Sequence, residues 1–117
     1  MKPFIGVDLD GTLAFHKEWT IPTGVDDIGE PIPAMVERVK LWLEEGKTVK
    51  IFTARAHNPA AEGPIKAWCL KHIGTELEVT NIKTPDMIEI WDDRAVSIVR
   101  NTGIAPSSHR PLWDWID

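Results

Sequence analysis

Cysteine is almost absent from this 117-residue chain, in which Cys69 stands alone. No intrachain disulfide can form, and a four-cysteine zinc site is excluded. A reducing cytoplasm is the compartment expected of such a chain. Long apolar runs are missing too. The first seven residues are briefly apolar, but Asp8 and Asp10 interrupt them before a signal-peptide core could build up. No run approaches the roughly 18 residues of a membrane span. Nor is there a basic excess: 13 Lys and Arg face 18 Asp and Glu, a formal charge of −5. No global positive field therefore draws nucleic acid or anionic lipid. The histidines, at 16, 57, 72 and 109, never fall at the i, i+4 spacing of a helical zinc pair. Repeats, low-complexity tracts and heptads are also lacking. What remains is an ordinary globular composition, 43% hydrophobic and 26% charged, at a length that fits one domain, residues 1–117.

The order of elements is legible from periodicity and punctuation. Residues 4–9 are short, apolar and followed by Gly11, as expected of a buried first strand. Pro33 then opens a helix over 34–45, where Met35, Val36, Val39, Trp42 and Leu43 recur at helical spacing and Gly46 supplies the stop. Residues 48–52 read as a second strand and 64–73 as a second helix, with Gly74 beyond its end. Further short strands are predicted at 77–80, 87–91 and 95–99. Strands alternating with helices predict an α/β fold: a single doubly wound, Rossmann-like domain with a central parallel sheet and helices on both faces. Ligands in such folds gather at the carboxyl ends of the strands.

Those ends carry the polar residues. The first strand runs into Asp8-Leu9-Asp10-Gly11-Thr12, the second into Thr53-Ala54-Arg55, the third region into Lys83, and the fourth into Asp92-Asp93-Arg94. Asp8 and Asp10 point to the same side if extended geometry persists, and Gly11 lets the chain turn sharply behind them. With Asp92 and Asp93 they form an oxygen-rich group that would repel itself without a cation, and it suits Mg²⁺ better than zinc. Lys83 and the Thr53 hydroxyl supply a charge and a donor for the oxygens of an incoming phosphate.

These four clusters, in this order, resemble the motifs of the haloacid dehalogenase superfamily, and the match covers nearly the whole chain. The resemblance implies a phosphatase in which Asp8 attacks phosphorus to form an aspartyl-phosphate and Asp10 acts as general acid and then general base. Dehalogenase-type members lack an acid/base at the second position, so Asp10 favours phosphate over halide. The resemblance also implies Mg²⁺ held by the Asp8 side chain, the Asp10 backbone carbonyl, Asp92 and Asp93. It leaves open which of the last two dominates. Thr53, Lys83, Leu9 and Ala54 would lie at the phosphate.

Residues 12–33, with Gly24, Gly29 and three prolines, are too irregular for a core element and read as a cover over the site. In the family this position carries a flap. Trp19 and His16 are then candidates for the substrate entrance, with plain loop packing as the alternative. Arg55 and Arg94 are divided between touching substrate and pairing with a structural carboxylate. The gaps between motifs leave no room for a cap domain. An open site of that kind admits polynucleotide ends or phosphoproteins as well as small phosphate esters, although net acidity does not favour nucleic acid. Two rivals come from other classes. A receiver-like phosphoacceptor domain would place its acidic pair first and its phosphorylated Asp mid-chain, the reverse of what is found here. A binding module without catalysis would not need the intact nucleophile, acid/base and lysine.

Overall fold

In the computed structural model, which describes residues 2–17 and 24–106, the first strand, β1, is Phe4–Val7, with all four residues buried. Burial on both faces is what a central strand of a parallel sheet requires. β1 pairs in parallel with β2 (Thr48–Phe52) on one side and with β4 (Met87–Trp91) on the other. β2 pairs in parallel with β3 (Val79–Thr80), which gives the order β3-β2-β1-β4. The chain is therefore an α/β protein built on a four-stranded parallel sheet.

Helix α1 (Pro33–Glu44) starts on a proline whose fixed φ is already helical, and it buries Met35, Val36, Val39 and Trp42. Just past its end the Lys47 N–H reaches back to the Trp42 carbonyl at 2.9 Å, so the chain turns directly into β2. Helix α2 (Glu62–His72) buries Ile65, Trp68 and Cys69. All of these join one cluster with Ile5 and Val7 of β1 and Val49 and Ile51 of β2. Alternate strand residues point to the same face, so the two helices share one side of the sheet. Trp91 fastens β4 to that side: its ring meets Trp42 edge-on with centroids 5.0 Å apart, and the Arg38 guanidinium lies 4.9 Å over it.

Helices on both faces were expected. Among the described residues no helix covers the other face, which carries Phe4, Gly6, Lys50 and Phe52. The link from β3 to β4 is only residues 81–86, shorter than the dozen or so residues of a helical crossover. Lys50 partly replaces one, with its ammonium 4.2 Å over the Phe4 ring. The expected fifth strand at 95–99 is also absent. Directly after β4 the Arg94 N–H donates to the Asp92 carboxylate at 2.8 Å and the Ala95 N–H to the Asp92 carbonyl at 3.3 Å, which turns the chain away. Val96, Ile98 and Val99 are apolar as strand residues often are but stay exposed. No helix among the described residues is long and apolar enough to cross a membrane.

The segment expected to cover the site is tied down at its base. The Phe15 N–H donates to the Glu30 carbonyl at 2.7 Å and the Ile32 N–H to the Leu13 carbonyl at 2.9 Å, while Leu13 and Ala14 are buried. Gly29 is required for this approach, because a Cβ there would sit 1.8 Å from the Phe15 carbonyl oxygen. Its own carbonyl accepts from the Trp68 indole at 3.0 Å. Trp19 lies outside the described residues.

Candidate active site

The parallel pairing of β1 with β4 runs one residue past the strands, since the Asp8 N–H donates to the Trp91 carbonyl at 2.9 Å. Asp8 is thereby brought level with Asp92. The chain then folds back tightly, with the Leu9 carbonyl accepting from the N–H groups of Leu13 and Ala14 at 3.0 and 2.8 Å. Gly11 has a φ of 91°, a conformation that disfavours any side chain. A Cβ there would lie 2.7 Å from a carboxylate oxygen of Asp93, so the bare backbone also makes room for that group.

Thr12 stitches the two strand ends together. Its hydroxyl lies 3.2 Å from Asp93 Oδ1 and 3.4 Å from Asp8 Oδ2, and it accepts the Asp93 N–H at 3.0 Å. Having one proton, it can serve only one carboxylate at a time. Asp8, Asp92 and Asp93 each offer an oxygen within 4.8 Å of the others. Burial and this crowding act together on Asp8. Burial first, then the charge of Asp92, a hydrogen bond with Asp93 and the charges of Asp93 and Asp10, push its carboxyl from 3.8 up to about 8. Three carboxylates this close could hold a cation, and hard oxygen donors alone are the set that Mg²⁺ or Ca²⁺ prefers.

Asp10 is two residues away in sequence yet differently placed. Arg55 Nε donates to its Oδ2 at 2.8 Å and Arg55 Nη2 to its Oδ1 at 2.7 Å. His16 Nδ1 stands 3.9 Å from the same Oδ1. Arg55 Nη2 donates also to the Asp27 carbonyl at 2.6 Å. Thr53, only 4% exposed, follows β2 and accepts the Arg55 N–H on its hydroxyl at 3.2 Å, capping the short helical turn Ala54–His57. Among the described residues the N–H groups of Leu9 and Ala54 have no hydrogen-bond partner.

Of the expected site residues, then, Asp8, Asp10, Asp92, Asp93 and Arg55 come together, with His16 at the edge and Thr53 behind Arg55. Lys83 is exposed in the 81–86 link, which runs from β3 across to β4, and forms no ion pair with these carboxylates. Two participants went unnamed in the sequence reading. Thr12 was quoted in the motif without a role, though a hydroxyl two residues past an Asp-x-Asp is a visible signal. The Asp27 carbonyl carries no signal of its own.

No family model matches the chain, and no curated protein matches it. A solved structure described as a conserved protein from Bacteroides thetaiotaomicron is similar, with 28% sequence identity, a TM-score of 0.57, and coverage of 80% of this chain and 77% of that one.

Proposed function

We propose that the chain is a Mg²⁺-dependent phosphomonoester hydrolase of the haloacid dehalogenase type, working through an aspartyl-phosphate on Asp8. The observation that carries this is the division between two carboxylates at the end of one strand. Asp8 sits in a group with Asp92 and Asp93, whereas Asp10 is held apart on Arg55. A carboxylate within reach of a bound cation is kept ionised and suited to attack, whereas the one outside that group is left to carry protons. The sheet order agrees with this reading. Winding runs from β1 through β2 to β3 and then reverses to β4, so β1 and β4 flank the crevice where doubly wound, Rossmann-like sheets take their ligands.

The donor set fits a magnesium ion: three carboxylates converge, one of them reluctant to ionise until a cation offsets its neighbours. Asp8, Asp92 and Asp93 would hold it, with the Asp10 carbonyl as the fourth group of the motif. Bound there, it would neutralise charge on the phosphoryl oxygens. The protein groups do the rest. An Asp8 oxygen attacks phosphorus as the bond to the leaving oxygen breaks, and that oxygen takes a proton from Asp10. Water then attacks phosphorus, gives a proton to Asp10, and the bond to Asp8 breaks, restoring its carboxylate. Thr53, Lys83 and the free N–H groups of Leu9 and Ala54 are the donors for phosphate oxygens.

A panel of phosphate esters with and without Mg²⁺ tests this. Asp8→Asn should fold, bind inorganic phosphate and show no turnover, while Asp10→Asn should lose at least about 10²-fold in kcat. Full hydrolysis in excess chelator, or substantial activity of Asp8→Asn once deamidation is excluded by mass spectrometry, would refute it.

A further inference from the structure

We propose that Arg55 is the positioning residue of the acid/base, holding the Asp10 carboxylate in one orientation and making that orientation depend on the seating of residues 24–30; this rests on Asp8 being the nucleophile and Asp10 the proton carrier. Both carboxylate oxygens of Asp10 are engaged side-on by one planar group, through Nε at 2.8 Å and Nη2 at 2.7 Å. Turning the carboxylate about its own bond would break two charge-assisted hydrogen bonds at once, so the fork fixes the plane in which Asp10 meets substrate. Each oxygen keeps a second lone pair, and proton exchange on the far side is left free.

The same nitrogen carries the second tether. The other hydrogen of Nη2 goes to the Asp27 carbonyl at 2.6 Å, inside a turn where the Asp27 N–H donates to Gly24 at 3.1 Å and the Ile28 N–H to Asp26 at 3.0 Å. A shift of this turn therefore pulls on the guanidinium that orients Asp10. Arg55 is itself braced, with its N–H on the Thr53 hydroxyl and its side chain only 10% exposed. Enclosure separates this pair from a surface ion pair, whose partners would reorient freely. Direct capture of phosphate by Arg55 fits less well. The Nε hydrogen and both Nη2 hydrogens are already committed, which leaves Nη1 alone.

If Arg55 aims the proton carrier, its loss should be felt according to how much proton transfer each step needs. A nitrophenolate leaves with little help from an acid, whereas an alkoxide needs the proton, and hydrolysis of the aspartyl-phosphate needs a base whichever ester was used. The experiment compares p-nitrophenyl phosphate with an alkyl phosphate, using the full chain and Mg²⁺, for the wild type, Arg55→Ala and Arg55→Lys. For Arg55→Ala, kcat should fall on the order of 10²-fold, as misplacement of a reacting group does. The fall should be deeper on the alkyl ester, with KM on that ester within a few-fold. The aryl ester should give a burst of nitrophenolate before slow turnover, with KM falling alongside kcat, and added guanidinium should restore part of kcat. Arg55→Lys keeps the charge without the fork and should stay close to Arg55→Ala.

Wild-type kcat with a raised KM in Arg55→Ala would make Arg55 a substrate contact and overturn the proposal. So would wild-type kcat with a lowered melting temperature, the mark of a staple for residues 24–30. Should Arg55→Ala fail to fold, Arg55→Lys decides, and wild-type kcat in that variant overturns the fork. A wild-type protein that hydrolyses neither ester with Mg²⁺ refutes the phosphatase assignment itself, before any variant is compared.

Discussion

Raising the pH of the metal-free protein is expected to lower its thermal stability, opposite in sign to a salt-bridged carboxylate. The Asp8 carboxyl titrates near 3.8 unless perturbed and is pushed up to about 8 in the fold, by burial and then by its acidic neighbours. Because the folded state holds this proton more tightly than the unfolded chain, the stabilisation is complete below the unfolded value. It is lost as pH rises through the folded one. One proton gives a slope of at most about 1.4 kcal/mol per pH unit. Solvent still reaches part of the carboxylate, and screening there trims the shift and so the total loss rather than the slope. From about pH 5 to pH 7 the loss is then about 2 kcal/mol, or a fall of roughly 8 °C in Tm for a domain this size. Asp86 runs the other way. A hydrogen bond from Thr84 lowers its pKa, so its stabilisation is present above the ordinary carboxylate value and lost below it, outside the window used. Thermal unfolding of chelated protein across that range, at constant ionic strength, should show the fall in the wild type and a much flatter line in Asp8→Asn. Added Mg²⁺ must displace the proton, so its stabilising effect should grow with pH. Equal slopes in the two proteins would refute the reasoning, because the proton would then not reside on Asp8.

Gly11→Ala should cost about 1–2 kcal/mol from its positive φ. It should also weaken Mg²⁺ binding in calorimetric titration, because the new Cβ would displace the Asp93 carboxylate; unaltered affinity would remove Asp93 from the ligand set. Lys83→Ala should leave stability within about 0.5 kcal/mol, since the side chain is exposed and unpaired, yet raise KM for a phosphate ester. An unchanged kcat/KM would assign Lys83 to the surface.

Where local chemistry dictates structure, the sequence was read closely. β2 and β4 fall on their expected residues, α1 starts one residue before its expected range, and α2 two. Their signals are short-range ones: Pro33 at a helix start, Gly46 and Gly74 after helix ends, and apolar residues at helical spacing. Residues 95–99 form a short apolar run of the kind strands show, but such a run cannot say whether another strand stands alongside, and the turn on Asp92 takes the chain elsewhere. The missing second helical layer had a signal that periodicity does not weigh. The count of residues between Thr80 and Met87 is too small for a crossover helix, whatever their composition.

The site divides along the same line. That Asp8, Asp10, Asp92 and Asp93 would gather follows from their being at strand ends, because a parallel sheet brings its carboxyl ends to one rim. What each carboxylate then does depends on partners far away in sequence. Asp93 and Thr12 are 81 positions apart, and Arg55 and Asp10 are 45 apart. Two aspartates separated only by Leu9 thus end in opposite surroundings: one among carboxylates that resist its ionisation, the other facing a permanent cation. Nothing within Asp8-Leu9-Asp10 sets that difference. It comes from β4 arriving beside β1 and from the turn after β2 pointing Arg55 back across the rim. A chain with the same motif but another residue at position 55 would keep its candidate metal site and lose the fork that fixes Asp10.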